Sequence, residues 1–162
     1  MSAVKRTQKA GGSPRSVASK SSSRSLALEL SIFNDSPLKR VPRSLMEQSV
    51  RLCMQQHHIQ RATVSVVFIN DSAMRKMNKQ FLNHDYVTDI ITFPLDEDLV
   101  DGELYISVDT AARQALEYGV STHNEILRLV VHGVLHLIGF DDATPALREE
   151  MHKQENIILE QL

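Results

Sequence analysis

The stretch Ala62-Thr63-Val64-Ser65-Val66-Val67-Phe68-Ile69, followed at once by Asn70-Asp71-Ser72, decides the fold. A run this rich in β-branched and aromatic side chains reads as a strand, because such residues pack well on a pleated surface. The polar residues behind it predict a helix capped by Asp71 or Ser72 and reaching about Leu82, with Met74, Met77 and Phe81 on one side. Upstream, Leu26, Leu28, Leu30 and Ile32 alternate with Ala27, Glu29 and Ser31, which predicts a half-buried strand over Leu26–Phe33. Asn34-Asp35-Ser36-Pro37 is turn chemistry. Pro42 then opens a helix to about His57, since its missing N–H and fixed φ suit a first helical turn.

Downstream, Thr88–Leu95 predicts a third strand, which Pro94 ends or places on an edge. Asp96–Asp101 reads as acidic loop and Gly102–Val108 as a fourth strand. Asp109 is expected to cap a helix that stops at Gly119, and Thr122-x-x-Glu125 forms a capping box for an apolar helix to about Ile138. Thr144-Pro145 starts a last helix. The order βα βα ββ ααα predicts an α+β fold: a four-stranded mixed sheet packed by about five to six helices. No internal repeat, GxGxxG or Walker-type loop occurs.

Composition divides the chain in two. Residues 1–25 are rich in Ser and Gly and carry Lys5, Arg6, Lys9, Arg15, Lys20 and Arg24 without one acid. Such a segment cannot bury enough apolar surface to offset its ordering entropy, so it is expected to be a disordered basic tail, with residues 26–162 as one domain. It lacks the apolar region of a secretory signal. Its Arg and Ser content resembles an organelle transit peptide, the alternative to a cytoplasmic protein with a solvated tail. The formal net charge of −2 therefore hides a body holding 12 basic and 20 acidic residues. By charge alone that body is no general nucleic-acid binder; a local patch, a cation or the tail would have to meet a phosphate backbone. No apolar run approaches the roughly 20 residues of a bilayer-crossing helix, so no membrane partner is expected. The one cysteine, Cys53, lies on the helical stripe Met46, Val50, Cys53, Met54 and reads as core.

The chemistry sits in Val131-His132-Gly133-Val134-Leu135-His136-Leu137-Ile138-Gly139-Phe140-Asp141-Asp142. Two imidazoles four residues apart share one helix face and can reach one ion at about 2.0–2.1 Å. Gly139 can take the left-handed conformation that ends a helix and reverses the chain. That turn would bring Asp142, ten residues after His132, back over the two histidines. Two imidazoles and a carboxylate leave a coordination position open, as expected of a catalytic rather than a structural metal near the C-terminus. Gly133, inside the helix at a cost of about 1 kcal/mol relative to Ala, suggests a close backbone approach there.

The spacing resembles that of metzincin proteases, but those carry a glutamate directly after the first histidine, and Gly133 cannot take a proton. The segment from His132 to Asp141 is instead similar to the HGxLHLxGYD stretch of the YbeY family, metal-dependent endoribonucleases linked to ribosomal RNA maturation. Asn78…Asp85…Thr88-Asp89-Ile90-Ile91-Thr92-Phe93-Pro94 resembles that family's N…D…TNVLSFP, and Gly102-Glu103-Leu104-Tyr105-Ile106-Ser107 its GDI-x-IS strand. The likeness spans roughly residues 28–162. It implies hydrolysis of single-stranded RNA, one Zn²⁺ per chain, and ribosomal RNA and the ribosome or its proteins as partners.

Two positions depart from the family pattern. Asp142 stands where a third histidine is usual, and aspartate is a legitimate zinc ligand. Leu82 stands where an arginine is usual, and leucine cannot contact a phosphate; His84 or Arg128 is expected to supply that charge. Asp141 is expected to make a turn or a hydrogen bond that supports the ligands. No general base is assigned, and the catalytic groups stay unknown. His57 and His58 read as the end of a helix, His123 as surface, and His152 as close to the site without a spacing argument. A non-catalytic ribosome-assembly factor with a structural metal and a metal hydrolase acting on a small substrate are the alternatives.

Overall fold

The structure, a computed structural model, describes Ala3–Val4 and residues 25–162. The expected disordered tail therefore lies outside the described residues, apart from the two that form β1 (Ala3–Val4) and Ser25 at its end. β3 (Arg61–Ile69) runs through the sheet between β2 (Ala27–Asn34) and β5 (Val100–Ser107), parallel to both. β4 (Ile90–Pro94) pairs antiparallel with β5, and β1 lies parallel to β4 at the edge, giving the order β1-β4-β5-β3-β2. The four strands read from the sequence are thus present as a mixed sheet, with the two-residue β1 as an addition. Pro94, which cannot donate to a ladder, is the last residue of β4.

Alternation along the strands sorts side chains between two faces. Val64, Val66 and Phe68 join Ile90, Leu104 and Ile106 on one face, under α1 (Arg43–Gln56), α4 (Thr122–Ile138) and α5 (Pro145–Leu159). Cys53 is wholly buried in this core, and burial pushes its thiol up to about 12, so it is an unreactive packing residue. Val67 and Ile69 point the other way, joining Ile91, Phe93 and Tyr105 in a smaller cluster beneath α2 (Asp71–Leu82). Leu82 packs in this second cluster. α3 (Val108–Tyr118) follows β5 and contacts α4.

Three helix caps lie before the expected residues. Asn70, Ser107 and Ser121 are the caps, each extended and accepting a hydrogen bond from a backbone N–H three residues on. Asp71, Asp109 and Thr122 already have helical backbone, so they cannot fill the extended cap position. The shift frees their neighbours for other work. Asp71 accepts from Ser107 Oγ at 2.6 Å and Thr110 Oγ1 at 2.8 Å and pairs with Arg113 at 2.8 Å, tying α2 to α3. Glu125, expected in a capping box, is instead one residue too far along, and its carboxyl is buried.

Gly133 explains how α4 is seated. A Cβ there would stand 2.7 Å from a Leu104 methyl and 2.9 Å from an Ile90 methyl, both in the fully buried core. The helix lies that close to β4 and β5 because the position has no side chain, as the sequence suggested.

Candidate metal centre

Two buried histidines on the last turns of α4 face an aspartate that returns over them. His132 and His136 are each 8% exposed, and their ring centroids stand 4.6 Å apart. Gly139 ends the helix with φ +114°, a conformation that suits glycine alone. Phe140–Asp142 then doubles back. Asp142 Oδ2 lies 3.7 Å from His132 Nε2, and Asp142 Oδ1 lies 3.8 Å from His136 Nε2. One ligand atom from each of the three residues falls within 4.8 Å of the others.

The hydrogen bonds fix which ring nitrogens face inward. His136 Nδ1 lies 3.0 Å from the Phe140 carbonyl, which can only accept, so Nδ1 carries the proton. His132 Nδ1 lies 2.7 Å from Glu155 Oε1. Burial alone would raise the Glu155 carboxyl, but the hydrogen bonds and charges of His132 and His152 outweigh it and hold the group below the usual range. An ionised Glu155 accepts, so His132 Nδ1 donates as well. Burial, and then the neighbouring His132, lower the pKa of His136, which keeps it neutral. His136 Nε2 therefore presents its lone pair to His132 Nε2 across 3.1 Å, a gap in which either a proton on His132 or a metal ion can lie.

With each Nδ1 already committed, the two Nε2 atoms are the ones free to turn to an ion. A divalent cation fits. Ligand atoms about 2.0–2.2 Å from a tetrahedral ion stand roughly 3.3–3.6 Å apart; the two imidazole nitrogens are 3.1 Å apart, and each has its own Asp142 oxygen at 3.7 or 3.8 Å. Neutral imidazoles and a carboxylate are the donor set expected for zinc-like ions.

A cavity of about 900 Å³ opens beside the three donors, lined by His132, Asp142 and Arg148 at one end and by Asp89, Gln114 and Glu125 at the other. Arg128 is on its wall. Its guanidinium donates to Glu155 Oε2 at 3.0 Å and to Asn156 Oδ1 at 3.3 Å, so it braces α5 against α4. Asp141 accepts from the Asp142 backbone N–H at 2.9 Å, a turn contact beside the ligand. His84 is not brought to the cavity. It follows α2, across the sheet from α4, and its ring stacks on Tyr86 at 5.1 Å. His57 caps α1 and meets Phe140 edge-on at 5.1 Å, and burial lowers its pKa. His123 is exposed and bonds the Arg40 carbonyl at 3.0 Å. His152 lines the cavity with Nδ1 3.1 Å from Glu155 Oε2.

Glu155 is the residue that spacing around the histidines did not reveal. It is 1% exposed and accepts from His132, Arg128 and His152 together. One signal does exist in the sequence: Met151, Glu155 and Ile158 form one buried stripe of α5, and an acid on an apolar stripe needs a partner. Arg148 was also unmarked; it is exposed at the cavity and donates to the Asp142 carbonyl at 3.4 Å.

The similarity to known proteins covers the segment that holds these residues. The family model described as Endoribonuclease YbeY matches residues 32–162. An endoribonuclease YbeY of Chlorobaculum parvum is 35% identical over 136 residues, covering 83% of this chain and 96% of that protein. One from Chloroherpeton thalassium is 39% identical over 126 residues, 77% of this chain and 89% of that protein. Among solved structures, TM1509 from Thermotoga maritima, determined in solution, superimposes with a TM-score of 0.60 at 25% identity, covering 82% of this chain and 90% of that one. By the extent of these matches, this chain belongs to the endoribonuclease YbeY family.

Proposed function

We propose that this protein is a metal-dependent endoribonuclease that hydrolyses single-stranded RNA in ribosomal RNA maturation, acting in the cytoplasm on ribosomal RNA and ribosome-bound partners. His132, His136 and Asp142 would hold one Zn²⁺ per chain. One observation carries the reading: two imidazole Nε2 atoms, their other nitrogens already committed, face each other at 3.1 Å beside a carboxylate and a cavity. Bound there, a divalent cation supplies Lewis acidity toward water and a phosphoryl oxygen.

The chain's own groups do the rest. Glu155 holds His132 with Nε2 inward, and the Phe140 carbonyl does the same for His136. Arg148, exposed at the cavity beside Asp142, is placed to pair with a phosphate, a role for which a guanidinium is suited. Arg128, tied to Glu155, adds a second positive group to the same wall. His152 is more than half exposed, and its Nδ1 is taken by Glu155, so its Nε2 is the atom that can exchange a proton with substrate. Among the described residues no helix is long and apolar enough to cross a membrane.

The test is metal content and turnover in protein purified without a histidine tag. About one zinc per chain, lost in His136→Ala, is the expected analysis, and Asp142→Ala should abolish cleavage of single-stranded RNA. Wild-type protein that carries zinc and binds RNA without ever cutting it would overturn the reading. That result would favour an assembly factor with a structural metal, which Leu82 supports by packing in the second apolar cluster where the family's arginine would stand.

A further inference from the structure

Glu125 is buried at the far end of the same cavity, and its Oε2 has no hydrogen-bond partner among the described residues. The residue is 3% exposed, lines the cavity, and its Oε2 is a buried atom without a donor. Gln114, opposite on α3, shares that state: its Nε2 donates to Asp89 Oδ2 at 3.1 Å, while its Oε1 is buried without a partner. Asp89 takes no further part in satisfying them, because its Oδ1 accepts from the Ile90 N–H at 2.8 Å and lies 3.3 Å from Thr88 Oγ1. Leaving buried polar atoms unmade costs about 1–3 kcal/mol each, and a site persists under that cost where a ligand completes it.

From this arrangement we propose that Glu125 and Gln114 form a nucleobase subsite, which reads an unpaired base through its exocyclic amino group. The inference rests on the ribonuclease reading of the neighbouring metal centre. Gln114 Oε1 and an ionised Glu125 are acceptors, so the ligand must bring donors. Adenine, cytosine and guanine each carry an amino group, whereas uracil offers two carbonyls around a single N–H. Gln114 Oε1 accepts such a donor whatever the state of Glu125, and Glu125 accepts through both oxygens when ionised, so the preference for an amino group is strongest in the ionised state. The terminal torsions of Glu and Gln are broad, so each group can turn its oxygen toward the cavity at little cost.

Position and lining agree with a nucleotide. Glu125 precedes His132 by seven residues on α4, about 10 Å along the axis. A nucleotide with its phosphate at the metal donors spans that distance to the edge of its base. Tyr118 and Val120, both largely exposed, and Leu129 make the apolar part of the wall, on which an unstacked base can lie.

The experiment titrates AMP, CMP, GMP and UMP separately into the full-length zinc-loaded chain and reads affinity by calorimetry. The phosphate is common to all four, so the metal's contribution cancels. AMP, CMP and GMP should bind roughly tenfold tighter than UMP, the worth of one hydrogen bond to a charged group. Glu125→Leu should flatten the difference. Glu125→Gln, which adds an N–H donor, should raise UMP binding relative to the others. Equal binding of all four nucleotides, no binding of any, or a preference unchanged in both variants would overturn the subsite. Cleavage of single-stranded RNA is scored beside it. RNA cut without a base preference removes the subsite alone, and a base preference without cutting removes the nuclease reading alone.

Discussion

The two ends of the cavity hold two buried glutamates with opposite fates. Glu155 and Glu125 are 1% and 3% exposed, and both line the same space. Glu155 accepts from three side chains, which outweigh burial and hold its carboxyl low. Glu125 Oε2 accepts from none among the described residues. Burial raises its pKa, Arg128 only partly offsets this, and Asp89 and Glu155 raise it further. The difference shows how one wall divides its labour. A satisfied carboxylate orients the machinery, whereas an unsatisfied one waits for something the folded chain does not supply.

The contrast breaks most visibly when a metal is added. Zinc at a thousandfold above its Kd should raise the unfolding free energy by about 4 kcal/mol, and Asp142→Ala should remove most of that gain. Urea unfolding with and without zinc measures it; stabilisation that survives Asp142→Ala would place the ion elsewhere. Next in size is Glu155→Leu. Losing it strands His132 Nδ1 and unpairs Arg128, so a loss of about 3 kcal/mol is expected, the low end for a broken buried pair because Arg128 can turn to solvent. Glu155→Gln should fold better yet bind zinc on the order of tenfold more weakly, since His132 loses its orienting charge. A variant with unaltered zinc affinity would reduce Glu155 to packing.

Gly133→Ala probes the seating of the helix that carries both ends. Helix propensity favours alanine by about 1 kcal/mol, but the new Cβ meets Leu104 and Ile90 in a core that cannot yield outward. Overpacking of about 1–3 kcal/mol should win, leaving a net loss of about 1 kcal/mol in chemical denaturation. A stabilised variant would mean that α4 has slack against the sheet.

The smallest effect has the opposite sign to that of Glu155. A carboxyl raised in the native state holds its proton to higher pH than the unfolded chain does, so Glu125 erodes stability as pH rises above its unfolded value near 4.5. Glu125→Gln removes that penalty. It should raise the Tm by a few degrees at pH 7 and by much less at pH 4, compared across matched melting curves. An equal shift at both pH values would deny the raised titration and weaken the comparison of the two acids.

Much of this was legible along the chain. The β-branched run before Ile69, the alternation after Leu26 and the left-handed glycines at 119 and 139 each act within a few residues, where periodicity and backbone sterics decide. The caps were missed by one or two residues because Asn70, Ser107 and Ser121 stand beside equally good capping residues. Only the geometry of the turn chooses between neighbours of like chemistry.

The amino-acid order by itself determined the four longer strands, the helices and the clustering of His132, His136 and Asp142, since these three are joined by one helix and one bend. Tertiary structure decided everything that crosses between elements. Glu155 reaches His132 from α5, Gln114 meets the cavity from α3, and His84 is carried away from it in the segment after α2. Local periodicity says that a side chain is buried, but not against what. That second answer comes only when helices pack on a sheet and polar groups far apart in the chain find a partner, or fail to.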